Sequence, residues 1–422
     1  MKIVIQSINF HPDLIGIGKY TSEMASWLAS KGHVVHVITA PPYYPQWKIR
    51  SGYKKYFWSK ETWCGVKVWR CPIWVPMRPS GVTRILHLAS FALSSFPIIL
   101  AQIFWRPNII FTIEPPLFAA SAALITARIG GAKAVMHIQD FEVDAAFDLG
   151  LLKNIWLKKI ILGIEKFLLK RFDLVCTISR SMVNRVHSKG VFAENVYLFP
   201  NWADIQAVRR LPLNLNAANG QEKFSYRELL KIPSDSVIAM YSGNMGAKQG
   251  LEILGQVAIR FQRNNKSSPP IHFVFCGDGI AKDNLVKQCE DLNFVHFLEL
   301  QPTERLSQFL ATADIHLLPQ LSGAADLVLP SKLIGMMASS RPVLACAQMG
   351  TELANIVLHC GLIVPPEDPD AFYEALLILS ADKDFRQKLG AAGYSYVSKN
   401  LNKNDILLSF ESRLKKILPS GL

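Results

Sequence analysis

Short apolar runs alternate with amphipathic segments through the first half of the chain. The runs are five to seven residues long and rich in β-branched residues, which predicts buried strands. Between the first two runs, residues 19–31 repeat apolar residues at helical spacing, and Gly32 ends that helix. This alternation is typical of a parallel sheet flanked by helices. The predicted strands of this half are 2–8, 34–38, 107–113, 134–138 and 174–178.

The same alternation begins again after residue 200. The strand pattern stops near 199–204, and a polar loop follows at 214–221. We therefore expect two doubly wound α/β domains, residues 1–200 and 201–400. Residues 401–422 contain a predicted helix, 405–418, which we expect to pack back across the domain junction. The predicted strands of the second domain are 237–242, 271–275, 295–298, 315–318 and 343–345.

The net charge of +13 lies entirely in the first domain. Residues 1–200 hold 24 Lys and Arg against 11 Asp and Glu, whereas the remainder holds 22 of each. Nucleic acid and anionic membranes are the usual partners of such a domain. No zinc knuckle, RNA-recognition signature or basic helix of the nucleic-acid type is present, so the charge favours a membrane surface and no nucleic acid.

The cysteines and the N-terminus indicate a cytoplasmic protein. Seven cysteines are scattered in apolar contexts without a C-x-x-C pair, which indicates reduced thiols. The chain begins Met1-Lys2-Ile3 and runs directly into a predicted strand, without the pattern of a signal peptide.

Two segments of the first domain are candidates for contact with lipid. Ile85–Trp105 contains no charged residue over 21 positions, which is long enough to cross a bilayer. Pro97 inside it, and the strand that follows, favour a buried or interfacial helix pair instead. Leu149–Phe172 interleaves apolar residues with basic ones. It is either an interfacial amphipathic helix or a surface helix with solvated lysines, and both interpretations stay open.

Four loops carry the candidate chemistry. Three are rich in glycine and follow predicted strands, and the fourth opens a predicted helix with a proline, a serine and a lysine. Helix N-terminal amides and a nearby lysine can hold an anion, although each loop alone also fits an ordinary junction. Open α/β sheets bind ligands at the carboxyl ends of their strands. Because several such loops occur in one chain, we expect them to bind a phosphate-bearing ligand. The loops contain Gly16 and Gly18, Gly243 to Gly250, Gly277 to Gly279, and Pro330-Ser331-Lys332.

In this order the loops resemble those of the retaining GT-B glycosyltransferases of family four. The resemblance covers essentially the whole chain and extends to Pro200-Asn201, Ala313-Asp314 and Leu317-Leu318-Pro319. The opening segment and Gln139-Asp140 are similar to the WcaI-type branch, which is associated with colanic acid and related exopolysaccharides. The resemblance implies a GT-B fold of two Rossmann-like domains with a cleft between them. It also implies a nucleotide-sugar donor on the C-terminal domain and an acceptor on the N-terminal, membrane-facing one.

The resemblance assigns roles residue by residue. The catalytic candidates are Lys248 and Lys332 on the donor diphosphate, Asp326 near the donor sugar, and Asp140 near the acceptor. The donor-binding candidates are Gly16, Gly18, Gly243, Asn244, Gln249, Gly277, Asp278, Gly279, Pro330, Ser331 and Leu333. The acceptor-binding candidates are His137, Gln139, Glu142 and Asp144, whose acidic members also fit a solvated turn.

The chain departs from the family at two glutamates. Leu327 and Gly335 occupy their positions, and Asp326 is the nearest carboxylate to the first. Gln139 stands where the family commonly has a histidine. Because cationic groups relieve the charge on the departing phosphate, we expect no metal and no cofactor beyond the co-substrate, a GDP- or UDP-sugar.

The expected activity is transfer of a hexosyl or deoxyhexosyl group to a lipid-linked saccharide in bacterial exopolysaccharide or cell-surface glycan biosynthesis. The expected location is the cytoplasmic face of the cell membrane, with peripheral attachment to its anionic surface. Two alternatives share the fold. One is a sugar-nucleotide 2-epimerase, which has no need of a basic, membrane-seeking domain. The other is a non-catalytic scaffold of a polysaccharide assembly complex that has lost activity together with the two glutamates.

Overall fold

The computed structural model describes residues 1–13, 16–44, 46–77, 81–141, 155–204, 225–246, 249–264, 269–322 and 331–419. Contacts divide the chain into two compact units. Unit 1 comprises Met1–Asn201 together with Asn404–Leu422, and unit 2 comprises Trp202–Lys403. Each unit is built on one sheet, so the two α/β units predicted from the sequence are present.

The described part of unit 1 holds an eight-stranded sheet in the order β3-β4-β2-β1-β5-β6-β7-β8. Neighbouring strands are parallel except β3 and β4, which form an antiparallel pair at one edge. Ile3 lies opposite both Val35 and Ile109, at the centre of the buried sheet. The strands are β1 (Lys2–Gln6), β2 (Val34–Thr39), β3 (Ser59–Trp63), β4 (Val66–Arg70), β5 (Ile109–Glu114), β6 (Lys133–Ile138), β7 (Leu174–Thr177) and β8 (Val196–Leu198).

Helices cover both faces of this sheet. The step from β1 to β2 runs in one direction along the sheet, and the steps from β4 through β8 run in the other. Because crossovers between parallel strands are right-handed, the helices of these two groups lie on opposite faces. The first group contains α1 (Ile17–Ser30), and the second contains α2 (Gly81–Ala101), α3 (Phe118–Gly130), α4 (Ile155–Leu169) and α5 (Arg180–Ser188).

Helix α2 and the 3₁₀ turn after it, Gln102–Trp105, form the segment predicted from the uncharged run at 85–105. Pro97 lies inside the helix without dividing it into a pair. Within the described residues, Gly81–Trp105 is one segment whose length and composition would allow it to cross a membrane. Only 28 % of its most apolar window is buried in the protein, which sets it apart from an ordinary core helix.

The helix predicted from the basic stretch at 149–172 is α4, which the structure describes from residue 155. A buried ion pair fixes its orientation. Glu165 on α4 is fully buried, and the ammonium group of Lys189, after α5, donates to its carboxylate at 2.5 Å. Breaking such a pair by removing one partner is strongly unfavourable. The opposite side of α4 is therefore held toward solvent.

The described part of unit 2 holds a six-stranded parallel sheet in the order β11-β10-β9-β12-β13-β14. This is the doubly wound order in which the direction of strand addition reverses, here between β9 and β12. The strands are β9 (Val237–Ser242), β10 (Ile271–Cys276), β11 (Val295–Leu298), β12 (Ile315–Leu318), β13 (Val343–Cys346) and β14 (Gly361–Val364). The helices are α6 (Tyr226–Leu229), α7 (Glu252–Asn264), α8 (Lys282–Gln288), α9 (Thr303–Thr312), α10 (Ser331–Ala338), α11 (Glu352–Val357), α12 (Pro369–Ala381) and α13 (Lys383–Asn400).

The C-terminal helix α14 (Lys403–Ile417) packs in unit 1. Phe410 stacks on Phe199 with ring centroids 3.9 Å apart, and it also meets Phe111 of β5 edge-on. Glu411 accepts a hydrogen bond from His33 at 2.9 Å. The last helix is therefore part of the unit that contains the first strand of the chain.

Candidate functional site

The loops after β9 and β10 interlock at the carboxyl edge of the unit 2 sheet. The Met245 amide donates to the Asp278 carbonyl at 2.9 Å, and the Ala281 amide donates to the Met245 carbonyl at 2.9 Å. A Cβ atom on Gly277 would overlap the carbonyl oxygen of Gly243, and the φ of +154° at Gly277 also favours glycine. Two of the three predicted glycine loops are thus brought together by backbone contact.

Lys332, the second residue of α10, lies across the end of β9. Its Nζ donates to Gln249 Oε1 at 2.8 Å and to the Tyr241 hydroxyl at 3.2 Å, and it sits 4.4 Å from the centroid of the Tyr241 ring. A Cβ on Gly243 would contact Lys332 Cδ at 3.4 Å, and the φ of +138° at Gly243 favours glycine. The structure therefore brings the predicted Gly243, Gln249 and Lys332 together.

The ammonium group of Lys332 has polar partners but no anionic one in the part of the chain that the structure describes. Burial lowers the pKa of Lys332 from its usual value to about 7, because the charged form is poorly solvated there. It stands at the N-terminal end of α10, whose amides carry partial positive charge. This arrangement suits an anion between β9 and β12, the point at which doubly wound sheets bind ligands.

The other donor-binding candidates of unit 2 contribute differently. Asn244 and Asp278 are exposed, and the Asp278 carboxylate accepts the Gly279 amide at 2.8 Å. Leu333 is buried in the core with 1 % of its surface exposed, so only its backbone can face a ligand. Ser331 is the first residue of α10.

Tyr241 is a residue of this site to which the sequence analysis assigns no role. Its ring lies under the Lys332 ammonium, and its hydroxyl donates to the Asn244 carbonyl at 2.6 Å. The available signal was its position, one residue before the carboxyl end of β9 and two before Gly243.

The predicted glycines of unit 1 form the loop between β1 and α1. Gly16 has a φ of +57° and precedes the first residue of the helix. A Cβ on Gly18 would lie 2.6 Å from the Asp13 carbonyl oxygen. Asp13, a buried carboxylate that the sequence did not single out, accepts a hydrogen bond from Asn9 at 3.2 Å. Burial raises the pKa of Asp13 to about 6.

The acceptor candidates of unit 1 at the end of β6 are only partly accessible. His137 is 3 % exposed, and burial lowers its pKa to about 3, so the ring is neutral. The side-chain amide of Gln139 donates to His137 Nε2 at 2.7 Å and exchanges hydrogen bonds with Asn201. His137 therefore positions Gln139. Asp140, the residue after Gln139, is partly exposed.

Five candidates lie outside the described residues, so the structure places none of them. They are Glu142, Asp144, Lys248, Asp326 and Pro330.

No three His, Cys, Asp or Glu side chains of the described ranges are grouped as metal ligands. An Asp-x-Asp sequence could offer two carboxylates to a metal ion, and the chain contains two, which begin at Asp368 and Asp382. Asp368 and Asp382 have structural roles instead. Each accepts the backbone amide three residues later and caps a helix, at 2.9 Å and 2.8 Å respectively.

Comparison with known proteins matches each half of the chain to a glycosyltransferase domain. Residues 16–202 match "Glycosyl transferase 4-like domain", and residues 222–396 match "Glycosyl transferases group 1". The putative colanic acid biosynthesis glycosyl transferase WcaI of Escherichia coli K12 is 39 % identical over 97 % of this chain and 98 % of its own length. The chain belongs to the family-four glycosyltransferases.

Solved structures of low sequence identity share the GT-B fold of this glycosyltransferase. Sucrose-phosphate synthase from Thermosynechococcus elongatus superposes with a TM-score of 0.75 at 17 % identity, covering 99 % of both chains. HepE from Anabaena, in complex with UDP and glucose, gives a TM-score of 0.68 at 14 % identity, covering 99 % of this chain and all of its own. Both similarities concern the fold.

The resemblance places Gly335 at the position of one of the family's two glutamates. Gly335 lies on α10, one turn after Lys332. A Cβ atom placed on Gly335 would lie 3.3 Å from Leu310 Cδ1. This turn of the helix therefore offers no carboxylate beside the lysine.

Replacing Lys332 with Met should make the protein more stable at pH 6 than the wild type. The pKa of Lys332 is about 7 in the folded state and near 10.5 when unfolded, so the folded state disfavours the proton. The resulting loss of stability is greatest below pH 7 and fades as the pH rises toward 10. We expect Lys332→Met to gain up to about 4 kcal/mol at pH 6 and only about 1 kcal/mol at pH 9.5, measured by chemical denaturation.

The matched control is Lys287→Met, an exposed lysine at the end of α8. Its effect should be small and independent of pH. Equal stability of Lys332→Met and wild type at both pH values would show that the Lys332 ammonium is solvated.

Proposed function

We propose that this enzyme transfers a sugar from a GDP- or UDP-linked donor to a lipid-linked saccharide during assembly of a bacterial exopolysaccharide of the colanic acid type. The observation that carries the proposal is the Lys332 ammonium group at the carboxyl edge of unit 2. It faces no carboxylate among the described residues and lies beside the N-terminus of α10. A nucleoside diphosphate supplies the negative charge that this arrangement accommodates.

The donor diphosphate would contact Lys332 and the first amides of α10. The charge that develops on the leaving phosphate would be stabilised by groups already in place, which is the largest single contribution in many enzymes. Complexes of fold neighbours support a nucleotide donor: HepE was solved with UDP-glucose, and the Arabidopsis starch synthase IV catalytic domain with ADP and acarbose. WcaI supports the exopolysaccharide context.

The reaction requires no dedicated protein base in this proposal. The departing phosphate itself takes the proton of the acceptor hydroxyl as the new bond forms on the same face, which retains the configuration at the sugar. Lys332 remains protonated throughout, because the adjacent diphosphate raises its pKa. Lys248 would add a second cation, and Asp326 would contact the donor sugar. Unit 1 would place the acceptor near Gln139 and Asp140.

The acceptor is proposed to be carried on a membrane lipid, and the enzyme to attach to the cytoplasmic face. The basic charge of residues 1–200 supports this location. A peripheral enzyme could meet an acceptor sugar that sits just above the bilayer.

A non-catalytic scaffold is the second candidate, because Gly335 and Leu327 replace two family glutamates. Donor hydrolysis assayed with a panel of nucleotide sugars separates the two. An enzyme hydrolyses or transfers from at least one donor, whereas a scaffold leaves all of them intact.

A thermal-shift screen with GDP, UDP, dTDP and ADP tests the donor class. Binding to the folded state alone raises stability by about 2.7 kcal/mol at a ligand concentration of 100 times the dissociation constant. We expect GDP or UDP to raise the melting temperature by a few degrees, and Lys332→Ala to remove most of this shift. No shift with any nucleotide would contradict the proposal.

Lys332→Ala and Lys248→Ala should each reduce turnover by about two to three powers of ten, as loss of an electrostatic stabiliser does elsewhere. Rates are measured at saturating and at limiting donor, with circular dichroism as the folding check. Lys287→Ala is the matched control and should retain full activity. Wild-type rates in the Lys332 and Lys248 variants under both conditions would refute their assignment.

Asp326→Asn should change the rate or the choice of sugar more than the affinity for nucleotide. The reason is its position in the sequence, one residue from that of the family's first glutamate. Nucleotide affinity is measured by titration and sugar choice by turnover of several donors with one nucleotide. A donor complex in which Asp326 faces bulk solvent would exclude this role.

A further inference from the structure

Helix α2 is apolar on its buried side, with Leu88, Phe91 and Ile99, and apolar on its exposed side as well. His87, Ser95 and Gln102, the last in the turn after α2, are each at most 5 % exposed. Leu86, Leu93 and Phe96 are exposed, Leu93 by 76 %. A surface helix of a water-soluble protein normally turns a polar face to solvent, and α2 does not.

Hydrogen bonds from the buried side of α2 fix the helix to unit 1. Gln6 on β1 donates to the Ser95 hydroxyl at 3.0 Å, and Gln102 Oε1 lies 2.9 Å from His36 Nδ1 on β2. These side chains are buried, so removing α2 from the sheet would leave polar groups without their partners. The helix is therefore held on the sheet with Leu86, Leu93 and Phe96 outward.

The two next crossover helices carry exposed apolar residues at helical spacing as well. On α3 these are Phe118, Ile125 and Ile129, and on α4 they are Trp156, Ile160, Ile164 and Phe167. Each helix also buries an apolar side against the sheet or its neighbours. Exposed apolar stripes on three successive helices exceed the scattered apolar residues normal for a protein surface.

The three stripes lie on one face of unit 1. Right-handed crossovers place α2, α3 and α4 on the same side of the sheet. Helix α2 packs along α3, and Arg128 on α3 donates to the Arg171 carbonyl just after α4 at 2.8 Å. We call the outward side of α2, α3 and α4 the three-helix face.

Charge identifies what covers the three-helix face. Within the described residues 81–106, 118–130 and 155–171, the single carboxylate is Glu165, which is fully buried against Lys189. Every exposed charge of these segments is positive: Arg84, Arg106, Arg128, Lys158, Lys159, Lys166, Lys170 and Arg171. A protein partner would have to match this with acidic residues around an apolar centre, whereas an anionic bilayer has both properties over a wide area.

We propose that the three-helix face docks in the plane of an anionic lipid bilayer, with α2 and α4 both in the headgroup region. The proposal rests on the proposed function in that a lipid-linked acceptor requires such a surface. It differs from attachment through the basic helix alone and from a spanning Gly81–Trp105 segment. Lysine stems can lie along the apolar stripe while their ammonium groups reach the headgroups.

Sedimentation of the full-length protein with vesicles tests the docking. The vesicles contain phosphatidylcholine alone or mixed with phosphatidylglycerol, at low and high salt. The α2 variant is Leu93→Glu with Phe96→Glu, and the α4 variant is Lys158, Lys159, Lys166 and Lys170→Glu. The controls are Leu408→Glu, an exposed leucine on α14, and Lys383, Lys388 and Lys399→Glu on α13.

We expect wild type and both controls to bind the mixed vesicles and to be released by salt. The α4 variant should bind at least about thirtyfold more weakly, because each basic residue near the surface contributes about 1 kcal/mol. The α2 variant should bind about tenfold more weakly through loss of apolar burial and should keep its salt dependence. Wild-type binding by either variant would overturn the proposal.

A fluorescence measurement shows whether both helices enter the headgroup region. Cys64 is exposed, so a Cys64→Ser background allows an environment-sensitive dye to be placed by Leu93→Cys, Ile164→Cys or Leu408→Cys. The first two should shift to the blue with mixed vesicles and the third should not. A shift at Ile164→Cys alone would restrict docking to α4. Resistance of the wild type to alkaline carbonate would instead favour a spanning helix.

Two readouts separate this proposal from the proposed function and from self-association. Nucleotide binding in the absence of vesicles should be the same in wild type and both surface variants, because none of the substituted residues lies in unit 2. Vesicle binding without nucleotide binding would leave the docking intact and refute the donor proposal. A wild-type dimer in sedimentation equilibrium that Leu93→Glu with Phe96→Glu dissociates would assign the face to a second copy and overturn the docking.

Discussion

The contact between the backbones of Gly243 and Gly277 determines the shape of the candidate donor site. It allows the loops after β9 and β10 to exchange hydrogen bonds through Met245. A side chain at Gly277 would separate these loops, and the φ of +138° at Gly243 disfavours any other residue there. The amides of Gly243, Met245 and Gly277 donate to carbonyl groups of the protein. What this close approach offers a ligand is therefore the neighbouring N-terminus of α10 with the Lys332 ammonium group.

Lys332 illustrates how a binding site can be unfavourable for the folded protein. Half-burying an ammonium group beside the positive end of α10 costs free energy, and the lowered pKa expresses that cost. Gln249 and the Tyr241 ring offset part of it with a hydrogen bond and a cation–π contact. An anionic ligand would remove the remainder, so the same feature that destabilises the empty protein would favour binding.

The sequence predicted the central strands well and the sheet edges poorly. All ten predicted strands are present within two residues of their expected bounds, because central parallel strands are continuous apolar runs. The pair β3 and β4 was missed because Ser59–Trp63 is polar in all but its last residue, and Val66–Arg70 is interrupted by Lys67 and ends on Arg70. The outer strands β8 and β14 were also not predicted.

The site residues that the sequence could indicate are those in glycine-rich loops and at a helix start, such as Gly243 and Lys332. Tyr241 and Asp13 could not be predicted, because only the tertiary fold brings their partners next to them.

The uncharged segment at 85–105 shows why composition alone left its role open. A spanning helix, a core helix and a helix lying on a membrane all require apolar residues on more than one side, so they share the same hydropathy. The distinction lies in the few polar residues. Ser95 and Gln102 are buried against β1 and β2, where Gln6 and His36 are polar residues in otherwise apolar strands. Buried polar pairs of this kind specify one orientation of a helix on its sheet, because any rotation leaves them unsatisfied. Leu86, Leu93 and Phe96 are consequently left to face the solvent or a partner, and the sequence pattern becomes interpretable only once those pairs are known.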